Sequence, residues 1–135
     1  MSVETHKELE DFFRSMRQAF NSRDLKTFRS HFWTDKRFLN LDASGRLDIG
    51  WGSYEEVLDQ EFRYMEVVKL ELKDLEFQIF DDQFASVVGS WRSTQVDPEG
   101  REMSQNGRST FSVVRMNEDW KIVAQHYSGI LNGDA

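Results

Sequence analysis

Apolar residues recur near the start of the chain with the spacing of one helix face: Leu9, Phe12, Phe13, Met16 and Phe20. Thr5 and Glu8 form a capping-box pattern ahead of them and Asn21-Ser22 ends the run, which predicts a helix over 5–21. Asp24 is placed to cap a second, shorter helix carrying Leu25, Phe28 and Phe32. A short strand is expected near 37–42, followed by an Asp42–Gly45 turn and a brief return through Leu47 and Ile49. Ser53 and Glu56 make another capping box, opening a third helix whose apolar face is Tyr54, Val57, Leu58, Phe62 and Met65.

Beyond this point the period changes to two. Residues 67–80 alternate, but the apolar register switches from Val68, Leu70 and Leu72 to Leu75, Phe77 and Ile79. A one-residue phase slip inside a strand is what a β-bulge produces, which places one at Lys73-Asp74 and bends the sheet there. Turns at Asp81-Asp82-Gln83, Asp97–Gly100 and Asn117–Asp119 separate three more long strands, at 84–96, about 102–116 and 120–131. Three helices followed by a bent meander is an α+β pattern. The expected shape is a cone: three N-terminal helices packed on a strongly curved, mostly antiparallel sheet, cystatin-like and half-open, with a cavity between helices and sheet. The convex sheet face then calls for a second copy of the chain, so a homodimer through that face is expected.

Composition narrows the function classes. The chain has 135 residues and reads as one domain over 1–135, able to bury about two-thirds of its extended surface. Zero cysteines exclude disulfides, thiolate catalysis and Cys-based metal sites. A net charge of −7 opposes nucleic-acid binding, which needs a basic face. The apolar runs are too short to span a bilayer and the first residues lack a signal-peptide core, so no membrane partner and a cytoplasmic location are expected. Twelve acids against four bases between Asp42 and Asp82 read as a solvated face, without the spacing of a cation-binding loop. His6, His31 and His126 fall in separate elements with no ligand-pair spacing, so no metal is expected. Nucleotide and hydrolase motifs are missing, and no cofactor is expected.

The order of elements, together with GRSTFSVVRMNEDWKIVAQHYSG at 107–129, resembles the SnoaL-like branch of the nuclear-transport-factor-2-like superfamily. The chain is also similar to the association (hub) domain of calcium/calmodulin-dependent protein kinase II. Trp120, His126, Ser128 and Gly129 match the family's terminal strand, Arg92-x-Thr94-Gln95 a hub-domain strand, and Gly45 and Gly50 the turn and the entry to the third helix. The hub resemblance implies a pocket for small carboxylates with Arg92 as one of its cations, while Phe111 and Tyr127 stand where two further arginines would be. It also turns Gln125 and Tyr127 inward and His126 outward. Relatives that isomerise steroids use an aspartate base near the first strand, a position that falls here at Leu41 or Asp42; relatives that cyclise polyketides also rely on a cavity acid.

The candidate site residues follow from these two lines. Strand alternation puts Trp120, Ile122, Ala124 and His126 on one face and Val123, Gln125 and Tyr127 on the other, so that only one set faces the cavity. Asp42 and His126 are the candidates for acid–base chemistry, with Asp42 also suited to start the turn. Arg92, turned inward, would be a buried cation that a carboxylate ligand could pair; at the rim it would pair with a surface acid. Trp33, Trp51 and Tyr54 flank the first strand and third helix, where a cone's mouth would lie, and either line a pocket for a flat apolar ligand or pack as core and rim. Asn40 could offer a hydrogen bond inside. A small-molecule-binding domain is the leading expectation, with a proton-transferring lyase, isomerase or cyclase on a polyketide- or steroid-like substrate, or an oligomeric scaffold like the kinase hubs, as alternatives.

Overall fold

A computed structural model describes residues 3–130. Helix α1 (Val3–Asn21) and the single-turn α2 (Leu25–Arg29) precede the short strands β1 (Leu39–Leu41) and β2 (Leu47–Ile49), and helix α3 (Trp51–Tyr64) leads into four long strands. These are β3 (Val67–Phe80), β4 (Phe84–Val96), β5 (Glu102–Met116) and β6 (Asp119–Gly129). With β1 and β2 they form one curved, open sheet in the order β2-β1-β6-β5-β4-β3, antiparallel throughout except for the β1–β6 pair. Among the described residues no helix is long and apolar enough to cross a membrane. The predicted end of the last strand at residue 131 lies outside the described residues.

The face of α1 predicted from spacing is the buried one: Leu9, Phe13 and Met16 are at most 1% exposed. They pack on Val87 of β4 and Phe111 and Val113 of β5 as one core cluster. Each fully buried side chain of this size contributes about 1.5–3 kcal/mol, which sets α1 firmly on the concave side. Asp24 accepts a hydrogen bond from the Thr27 amide at 3.1 Å, the expected N-cap. Phe32, expected in α2, lies beyond it and bridges to Ile122 instead.

Strand β3 slips register against β4 between Lys73 and Glu76, with Asp74 at φ +54°. The bulge sits where the hydrophobic phase changes, so Val68, Leu70 and Ile79 all reach the interior. The Asp81-Asp82 and Asn117-Glu118 pairs both have positive φ, the mirror-image turn geometry whose twist matches a hairpin.

Three start and stop signals work differently from expectation. Helix α1 already begins at Val3, so Thr5 lies within its first turn. Helix α3 begins at Trp51 with Gly50, at φ +93°, as its N-cap, so Ser53 is already inside the first turn. Its hydroxyl donates to Asp48 at 2.8 Å rather than capping. Met65 is extended and follows the helix. On β2 the alternation is inverted: Leu47 and Ile49 are exposed while Asp48 is 2% exposed. A buried carboxylate needs donors, and the site below supplies them.

Candidate functional site

A hollow of about 220 Å³ lies between α3 and the concave face of the sheet, closed at one side by the β1–β2 turn. Helical spacing aims Tyr54, Leu58 and Glu61 of α3 into it from one face, and strand alternation aims Trp91, Ser93 and Gln95 of β4 from the opposite wall. Tyr127 of β6 and Asn40 of β1 line it, as do Asp42 and Arg46 from the turn. One end is therefore aromatic and the other ionisable. A larger hollow of about 350 Å³ between α1 and β3 is walled by Glu10, Arg14, Arg17 and Asp74 at the protein surface. Convergence of aromatic walls and half-buried titratable groups marks the smaller one as the candidate site.

A buried polar chain holds its ionisable end. Gln125 donates from Nε2 to Asn40 Oδ1 at 2.9 Å, and Asn40 donates from Nδ2 to Asp48 Oδ2 at 3.0 Å. The same Asp48 oxygen takes Arg46 Nη2 at 2.8 Å. Burial alone would push the Asp48 carboxyl up, but donation from Arg46, Asn40 and Ser53 holds it below the ordinary carboxylate value. Hydrogen bonding to Asp48 in turn raises Arg46. Asp42 stands 3.8 Å from the same guanidinium while its Oδ1 accepts from Ser44 and the Arg46 amide, fixing the turn.

Glu61 has a different environment. Gln95 Nε2 donates to its Oε2 at 2.6 Å, yet burial outweighs this bond and the field of Arg46, so the carboxyl titrates above its usual value. Burial likewise pushes the Tyr54 and Tyr127 phenols up, with Gln125 offsetting part of the effect at Tyr54.

The structure brings together some of the sequence-predicted residues and separates others. Asn40, Asp42, Tyr54 and Tyr127 line the hollow, and Gln125 is buried behind Asn40. Trp51 packs below in a cluster with Phe32, Phe38 and Tyr54 rather than on the cavity surface. Phe111 is core, wedged between Phe13 and Tyr127. Trp33 carries the Arg37 guanidinium 4.7 Å from its ring centroid, away from the hollow.

Arg92 corrects the expectation of an inward cation. It is exposed beside Lys73, Ser90, Asn106 and Arg108, because Trp91 and Ser93 take the inward parity of β4. His126 is also exposed, its Nε2 3.3 Å from Ser128 Oγ. The strict choice between two faces of the last strand fails as well. Trp120, Ile122 and Gln125 are all buried, because the β5–β6 register slips: Ser112 pairs with Ala124 and Val113 with Ile122, leaving Val123 extra.

Arg46, Asp48, Glu61, Trp91 and Gln95 were not anticipated as site residues. For Glu61 a signal existed, since it lies seven residues after Tyr54 on the same helix face.

A curved sheet with helices packed on its concave face and a cavity beneath them is the architecture of the nuclear-transport-factor-2-like fold. The SnoaL-like domain model matches residues 9–132, so the chain belongs to that family. Three solved structures share the fold at low identity. The first is an NTF2-like superfamily protein from Salmonella enterica, 17% identical, with TM-score 0.86 over 100% of this chain and 97% of that one. A protein from Streptomyces avermitilis, provisionally named a dehydratase of the NTF2-like family, is 15% identical with TM-score 0.85 over 97% and 99%. A protein from Xanthomonas campestris, provisionally named a calcium/calmodulin-dependent protein kinase II association domain, is 17% identical with TM-score 0.78 over 93% and 87%. No curated protein matches the chain in sequence.

Proposed function

We propose that this SnoaL-like domain binds a small organic molecule, about one ring in size, in the hollow beneath α3. The observation that carries this is the hollow itself, with Tyr54, Trp91 and Tyr127 on its walls and Glu61 with the Asp42–Arg46 pair at its polar end. Its volume of about 220 Å³ lies above the roughly 150 Å³ that accommodates benzene and below the roughly 300–1,000 Å³ of drug-sized sites. A single substituted ring matches that range. Pairing of two copies across the outer sheet face belongs to the same proposal, with Phe84 and Val88 as exposed apolar ground on β4.

The test is ligand-induced thermal stabilisation over a panel of single-ring compounds, compared between wild type and Ser93→Phe, which fills the hollow from β4. Saturation at 100 times the dissociation constant adds about 2.7 kcal/mol. Shifts in wild type that vanish in S93F support the reading; equal shifts in both overturn it. Sedimentation at micromolar concentration tests the pairing, and a 15.9 kDa monomer throughout refutes it.

A second reading is a lyase or isomerase that moves a proton on the same molecule. Glu61 favours it, since it is a carboxyl on the cavity wall, close enough to a bound ring to exchange a proton with it, and burial raises it above its usual value. Turnover with a pH profile whose acid limb disappears in Glu61→Gln supports this; an unchanged profile sinks it.

A further inference from the structure

We propose that the hollow selects a cation, a protonated amine carried on a single ring, with Glu61 as its counter-ion and the Tyr54, Trp91 and Tyr127 rings as its walls. The inference rests on the cavity-binding reading and adds the charge of the ligand. It runs against the small carboxylate that the hub resemblance implied.

Arg46 is the only cation lining the hollow among the described residues, and its charge is already engaged. Asp48 holds its guanidinium at 2.8 Å and Asp42 stands at 3.8 Å. A ligand carboxylate would compete with two built-in carboxylates for one guanidinium, and would face Glu61 as well. Three carboxylates around one cation leave the polar end with surplus negative charge.

Glu61 carries that surplus. No cation lies within ion-pair distance of it among the described residues; Gln95 donates to Oε2, and Oε1 accepts no hydrogen bond from them. An ammonium group supplies the missing partner and up to three donors.

The walls suit the same charge. Trp91 and Tyr127 meet edge to face at 5.6 Å, and Trp91 is anchored through Nε1 to the carbonyls of Arg108 and Ser128, both at 3.1 Å. Its ring is held in place before any ligand arrives, and aromatic faces attract ammonium groups through their quadrupole.

The groups acting on Glu61 are Arg46 and Asp42 from the β1–β2 turn and Gln95 from β4, with Tyr54 on its own helix. Protonation of Glu61 on acidification removes the counter-ion while an alkylamine stays charged. Amine affinity therefore falls as pH drops through the raised Glu61 value.

The experiment uses three probes on one ring: benzylamine, benzyl alcohol and benzoate. Calorimetry on wild type at pH 7.5 is expected to rank benzylamine first, by at least about tenfold over benzoate. Glu61→Gln, which retains an acceptor for Gln95, is expected to lose the amine preference while its circular dichroism is unchanged. Titrating wild type to lower pH gives the same loss without a mutation. Benzoate bound as tightly as benzylamine, or an amine affinity unchanged in E61Q and on acidification, overturns the inference. Binding of benzyl alcohol alone overturns the charge assignment and leaves the cavity reading intact. Binding of none of the three by wild type overturns both.

Discussion

Asp48→Ala removes the acceptor at the centre of the buried polar chain. Three donors converge on this side chain: Arg46 Nη2 at 2.8 Å, Asn40 Nδ2 at 3.0 Å and Ser53 Oγ at 2.8 Å. Deleting one member of a buried charged pair costs about 3–5 kcal/mol, mostly through the groups left behind. The Arg46 side chain is 42% exposed and regains water, whereas Asn40 at 2% exposure does not. That places Asp48→Ala near the lower limit, about 3 kcal/mol, or roughly a 10 °C fall in Tm for a domain of this length. Asp48→Asn can aim its carbonyl at Arg46 and Asn40 and its amide at the Ser53 hydroxyl. It loses only charge assistance and costs about 1–2 kcal/mol.

The pH dependence follows from the same contacts. The folded Asp48 carboxyl titrates below its ordinary value of 3.8, so its stabilisation is fully present above that value. It is lost as pH falls through the lower folded value, and the gap between wild type and Asp48→Ala should close there. Thermal unfolding followed by circular dichroism at pH 7 and across the acid range measures both effects. A Tm for Asp48→Ala within 2–3 °C of wild type, which corresponds to about 1 kcal/mol or less, or a gap that stays constant on acidification, would refute the assigned role.

Two further substitutions probe the sheet. A Cβ at Gly107 would overlap the Ser128 carbonyl oxygen, a backbone atom on the paired strand, so Gly107→Ala must push β5 from β6 and detach the Trp91 anchor. Its cost is expected to reach or exceed about 3 kcal/mol, and a Tm close to wild type would show that the strands yield freely. Arg92→Ala, on the exposed side of β4, is expected to leave the affinity for any cavity ligand within about twofold, because surface changes away from a site stay within about 0.5 kcal/mol. A tenfold loss by calorimetry would return Arg92 to the site.

The site was only half legible in advance. Tyr54 was found because an aromatic residue at the entry to the third helix announces itself by type, and Tyr127 through the resemblance to the kinase hub domains. Arg46 and Asp48 were not, since they sit beside a Ser-Gly turn in a segment whose flanking Leu47 and Ile49 suggested an ordinary apolar strand face. Burial of Asp48 becomes favourable only when Asn40, Arg46 and Ser53 arrive from three elements to donate to it. Glu61 was hidden among twelve acids and looked like solvated surface. Its half-burial comes from β4 and the β1–β2 turn closing over it.

Hydrophobic period, caps and turn residues are local, and they determined α1, the Asp24 cap, the hairpin turns and the bulge at Lys73-Asp74 from the sequence alone. The family was legible as a resemblance, carried by the order of elements together with the residues at 107–129. Which parity of each strand faces inward is a long-range property, because one extra residue reverses every side chain beyond it. The slip at Val123 buries Ile122 and Gln125 together, and the inward turn of Trp91 sends Arg92 outward. Only the packed sheet fixes those choices, and with them the charge at the end of the hollow.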